Sequence, residues 1–144
     1  MREILFRGKN VDNGAWVYGS FIPDMLEVFC ITDIDGFIKP FSLKKEELTE
    51  VRVERSTVGQ YTGLTDKNGT KIFEGDIVRH IQEYKISGKV ESIAVIKLNE
   101  AYTCWSVEYT NGRTTAFLGT EYHRIEVIGN VHDNPELMEV NQNG

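Results

Sequence analysis

Glu74 and Asp76 are the first residues in this chain whose types and spacing could do chemistry. They flank Gly75 and would share one side of a strand, and paired carboxylates can move protons or hold a divalent cation. No second carboxylate pair and no neighbouring histidine completes such a site. The plainer account gives Asp76 to backbone N–H groups at the glycine corner and leaves Glu74 in water. His80, His123 and His132 show neither HxH nor HExxH spacing. They read as surface or hydrogen-bonded histidines rather than metal ligands. Ser42, Ser56, Ser87, Ser92 and Ser106 lie in no nucleophile elbow, and the glycines form neither GxGxxG nor a Walker motif. Cys30 and Cys104 stand in apolar, strand-like runs outside any CxxC spacing. They read as buried thiols acting as small hydrophobes. The residues therefore predict no catalytic site, no metal and no cofactor.

The aromatics are the better lead. Tyr61, Tyr84, Tyr102, Trp105, Tyr109 and Tyr122 are too many for the interior of one small β domain. Tyr and Trp dominate interface hot spots, and aromatic grooves recognise peptides. These six are the candidate partner-binding residues. The competing account makes alternate ones core and scatters the rest.

The elements that must position these residues are short strands. Runs rich in Val, Ile, Thr, Tyr and Phe recur between turn residues, with 13 glycines in 144 residues. Strands are expected at residues 4–7, 16–21, 26–32, 51–54, 57–64 and 71–78, with a short one at 37–39. The segment 71–78 is not one run, because Glu74–Val78 introduces a new strand through a sharp glycine corner. Further strands are expected at 88–92, 93–98, 103–109, 114–118 and 125–130. Asp12-Asn13-Gly14, Asp66-Lys67-Asn68-Gly69 and Asn111-Gly112 are turn signals, because Asn and Gly accept positive φ cheaply. A helical turn is expected at Ser42–Leu48, capped by Ser42. A second is expected after Asn134, with Pro135 at its first position. Gly59, Gly63, Asp66, Asn68, Gly69, Gly75, Asp76 and Gly129 read as structural, serving turns, corners and close backbone approach.

Composition sets the outer bounds. A chain of 144 residues with 40% hydrophobic residues can bury a core without disulfides or metals. The net charge is -6. Residues 1–56 carry 8 basic and 10 acidic residues, a balance of -2, and the remainder carries 8 and 12, a balance of -4. The longest basic run, Lys44-Lys45, is followed at once by Glu46-Glu47. Duplex DNA binding needs clustered Lys and Arg, so it is disfavoured. No signal peptide and no stretch near 20 apolar residues is visible, so a membrane partner is not expected and the cytoplasm is the default location.

Three pieces of this chain, in order, resemble the YopX family. They are Arg2–Arg7, the segment Val58–Val78 with its Asp66–Gly69 turn, and Val127–Leu137. The family's usual tryptophan after the first strand is replaced by Gly8-Lys9-Asn10, with Trp16 following later. The resemblance implies a phage or prophage origin, hence a host cytoplasm, and an SH3-like barrel in the C-terminal half. It implies no catalytic residue. The strand pattern from Glu74 onward independently suits a small, strongly bent barrel. The expected architecture is therefore mainly β, with one or two very short helices. An N-terminal β region at 1–56, packed on or swapped with the barrel, would precede a barrel at 57–144; one single domain over 1–144 is the alternative.

The favoured function is a non-enzymatic protein-interaction or self-assembly module, its partner another phage or host protein or a second copy. The first alternative is a nucleic-acid-binding accessory protein of phage DNA metabolism, using aromatics to stack single strands. The second is a small metal-dependent enzyme built on Glu74, Asp76 and a histidine.

Overall fold

The computed structural model describes residues 4–23, 28–33, 48–99, 104–116 and 124–139. Contacts divide the chain into two units, Met1–Tyr61 and Thr62–Gly144, with the division falling inside one strand.

In the first unit, β1 (Phe6–Lys9), β2 (Trp16–Pro23), β3 (Val28–Asp33) and β4 (Leu48–Val53) form an antiparallel meander. The start of β5 (Gly59–Thr65) pairs with the free side of β1, through Phe6 to Gln60 and Arg7 to Gly59. An isolated bridge between Asn10 and Val53 ties the end of β1 back to the end of β4. The sheet therefore curls over a small core of Val53, against which Val17, Phe21, Val51 and Val58 pack. Gly8 permits that curl. A Cβ built there would lie 2.9 Å from the Val53 Cβ. A 3-10 turn, Arg55–Thr57, leads to β5, and its Thr57 hydroxyl accepts from the Lys9 N–H while donating to the Glu54 carbonyl.

In the second unit, the end of β5 forms a hairpin with β6 (Lys71–Phe73). A five-stranded antiparallel sheet follows, built from β7 (Asp76–Tyr84), β8 (Gly88–Asn99), β9 (Cys104–Tyr109), β10 (Thr114–Ala116) and β11 (Ile125–Asn130). Its order is β10-β9-β8-β7-β11. Ile72, Val78, Ala94, Ile96, Val107 and Ile125 form its core, with Leu64, Trp105, Tyr109 and Val127 packed against them. Val78 and Ala94 are wholly buried because each has apolar neighbours on both sides in the sheet, Val127 and Ala94 for Val78, Val78 and Tyr109 for Ala94; Ile96 is buried beside Val107. The molecule is mainly β, as its alternating pattern predicts. Among the described residues no strand pairing joins β10 to β11, so no closed barrel is formed by them.

Several sequence expectations change. The two strands expected at 88–92 and 93–98 are one strand of twelve residues, because β7 pairs with it without a break from Ile77 to Tyr84. Glu91 and Ser92 interrupt the apolar pattern but not the ladder. The strand expected to begin at residue 26 is described from Val28, and the one expected over 114–118 is described over Thr114–Ala116. Leu48 opens β4 rather than closing a helical turn, and residues 42–47 and 37–39 lie outside the described residues. Pro135–Met138 is a 3-10 turn, but the Asn134 side chain makes no capping bond. It accepts the Asn130 N–H at 3.3 Å instead.

Candidate functional site

The carboxylates and glycines singled out in the sequence are spent on corners. Asp66 is 3% exposed, and its carboxylate closes the β5–β6 loop. One oxygen accepts the Asn68 and Thr70 N–H groups at 2.8 and 2.9 Å, and the other accepts the Val127 N–H of β11 at 2.9 Å. A short, rigid acceptor is required there, since three donors converge on it. Gly69 completes the turn at φ +83°, a conformation that costs other residues more. Asp76 is equally buried and accepts the Phe73 N–H at 2.7 Å. Gly75 between them turns at φ +88°; its N–H donates to Ile96, and its carbonyl accepts the Val131 N–H. Gly63 has φ +88° within β5, Gly59 is buried, and Gly129 lies at a register shift between β11 and β7. Among the described residues no three His, Cys, Asp or Glu side chains gather as a metal site would require.

The six aromatics separate. Tyr61 is buried in the first unit. Trp105 is half-buried on the core of the second. Tyr102 and Tyr122 lie outside the described residues, as does His123. Tyr84 and Tyr109 come together at one groove of about 730 Å³ in the second unit. Gln82, Tyr84, Ser92 and Tyr109 line it, with Glu91, Arg113 and Glu139 supplying charges of both signs. Beneath it, His80 is buried, and its Nδ1 lies 2.8 Å from the Tyr109 hydroxyl. The two rings stack at 6.2 Å. Cys104 is a free, half-buried thiol in β9, not a fully buried one; the Cys30 side chain lies outside the described residues.

The feature most available to a partner is the strand pair beside this groove. Among the described residues, β11 pairs with β7 as far as His80, and β9 pairs with β8 from Ala94 onward. Beyond Tyr109, the Thr110 N–H still donates to the Ile93 carbonyl at 3.3 Å, and the chain then turns away into β10. Ile81–Tyr84 and Gly88–Ser92 are thus paired only with each other among the described residues, forming a projecting two-stranded arm. Its two faces differ, as the strand period of two requires. Gln82, Tyr84 and Val90 fall on one, where the Tyr84 hydroxyl donates to Gln82 at 2.8 Å. Arg79, Glu83, Lys89 and Glu91 fall on the other, with Lys89–Glu83 at 3.6 Å and Arg79–Glu91 at 3.8 Å. Tyr84, Val90 and, at the tip, the fully exposed Ile86 put apolar surface into water.

Sequence reasoning missed the arm, because its open edge follows from where two other strands stop. It also missed the Trp16 ring in the first unit, which lies 4.6 Å from the Arg7 guanidinium and 5.4 Å from the Lys9 ammonium. Alternating Arg7, Lys9 and Trp16 on two paired strands was the available signal.

A family model described as YopX protein matches residues 5–139. A crystal structure of protein EF1440 from Enterococcus faecalis is similar at 22% identity, covering 96% of this chain and 100% of that chain, with a TM-score of 0.49. No curated protein matches the chain.

Proposed function

We propose, starting from the fact that this chain belongs to the YopX family, that it is a non-enzymatic protein-interaction module. Its partner adds an extended strand along the open edge of β8, at Gly88–Ser92. The single observation that supports this is the arm itself. Five residues of β8 have no outer neighbour among the described residues, and a groove lined by Glu91, Ser92 and Ile93 adjoins them. An open edge offers a row of main-chain donors and acceptors that strand addition satisfies, while side-chain pockets select the sequence. Tyr84 and Tyr109 provide the aromatic wall for such a segment. An SH3-like barrel over residues 57–144 belongs to the same proposal, as does a phage protein meeting its partner in the host cytoplasm.

The test is paired affinity capture from host lysate after nuclease treatment. One bait is the full chain. The other has Gln82–Val90 replaced by Asn-Gly, so that Ile81 and Glu91, which face each other across the arm, are joined by a two-residue hairpin turn. A protein retained by the full chain and lost with the shortened arm is the expected result. Identical retention by both, or loss of every partner on nuclease treatment, would overturn the proposal, the latter in favour of nucleic-acid binding.

A further inference from the structure

We infer that the strand received by the β8 edge is β8 of a second copy, the two pairing antiparallel about a two-fold axis at Val90; this rests on the strand-addition reading above. Register and charge together select this pairing. Residues two apart on a strand share a face, so Lys89 and Glu91 lie together and Val90 lies opposite. Antiparallel pairing about Val90 sets Lys89 against Glu91 of the copy, and Glu91 against its Lys89. Val90 meets Val90, and Gly88 meets Ser92. The two-fold axis makes the Lys89–Glu91 and Gly88–Ser92 contacts occur twice, while the Val90–Val90 contact lies on it. Cross-strand partners of opposite charge attract, and like charges directly opposite repel.

Shifting the register by one residue would bring Lys89 opposite Val90 and turn the charged face of one copy toward the apolar face of the other. The sequence therefore favours one alignment. A lysine on an edge strand ordinarily discourages pairing. Glu91, two residues on, converts this lysine from a deterrent into a register-selecting partner. Within the arm, Lys89 faces Glu83. Pairing would add the Glu91 carboxylate of the copy on its other side, so charge signs alternate across three strands. The existing pairs do not compete strongly. Lys89 and Glu83 are 72% and 67% exposed, and Glu91 is 62% exposed, so water already weakens them. On the other face, Val90 and its copy would cover each other beside Tyr84.

Sedimentation equilibrium on the full chain tests this, with K89E, E91K and the double variant, each checked for an unchanged far-ultraviolet circular dichroism spectrum. The wild type should be a dimer at micromolar concentration. Each single variant puts like charges opposite one another twice, and its dimer should dissociate at least tenfold more readily. An equimolar mixture of K89E and E91K chains should dimerise, because each repulsive contact becomes attractive. The double variant should recover dimerisation too, although it carries both unfavourable contacts within the arm, to Glu83 and to Arg79. A monomeric wild type, single variants that dimerise like the wild type, or a mixture that stays monomeric would each overturn the inference. A monomeric wild type that still captures a partner lost on shortening the arm overturns self-pairing alone. A shortened arm that changes neither dimerisation nor capture overturns strand addition as well.

Discussion

At the scale of single residues, the chain spends its most distinctive side chains on geometry. Asp66 is the clearest case. Replacing it by Ala leaves the Asn68, Thr70 and Val127 N–H groups without their acceptor. The expected cost is about 2–4 kcal/mol, from the loss of charge-assisted bonds at a buried site. Asn68→Ala, on the exposed side of the same turn, should cost less than about 0.5 kcal/mol. Urea unfolding of the two variants checks the contrast. Gly8→Ala would set a Cβ 2.9 Å from the Val53 Cβ in the first unit. It should destabilise by about 1–3 kcal/mol, and adding Val53→Ala should cost less than the sum of the two changes. These two residues also divide what a sequence can say. Asp66 is legible because its donors lie two and four residues away in one turn. Gly8 is not, because Val53 reaches it only after four strands have paired.

At the scale of elements, the arm is where local pattern and tertiary context part. The Val, Ile and Thr alternation marks β7 and β8 as strands. What it cannot mark is that, among the described residues, β9 pairs with β8 only from Ala94 and β11 with β7 only as far as His80. That depends on the lengths of three other elements. The same dependence hid the continuity of β8, since Glu91 and Ser92 interrupt the apolar pattern until β7 is placed beside them. A two-stranded ribbon is only marginally stable by itself. Amides of Gln82–Val90 in the monomer should therefore exchange at least about a hundredfold faster than those of Ile77–His80 and Ala94–Asn99, which sit inside the sheet. Residue-resolved hydrogen exchange checks this on the K89E and E91K variants at concentrations where they are monomeric. Shortening the arm to Asn-Gly should leave the core cluster of Ile72, Val78, Ala94, Ile96, Val107 and Ile125 intact, because none of those residues lies in the deleted segment.

At the scale of the whole molecule, the sequence announces a mainly β chain with no catalytic constellation, and the strands and family match agree with its first half. Its aromatics point to an interface without locating it. Of the six, Tyr84 and Tyr109 meet at the groove, and what places them there is the ladder between β7, β8 and β9 rather than any motif. The account stands on the β8 edge as a surface that accepts another strand. Hydrogen exchange at Gly88–Ser92 of the full chain, read at low and high protein concentration, tests that most directly. Outward-facing amides there should become at least about tenfold slower as the chain is concentrated, when an added strand takes them up as acceptor-bound donors. Exchange at open-edge rates at every concentration, unchanged by any protein that the full chain captures, would contradict it.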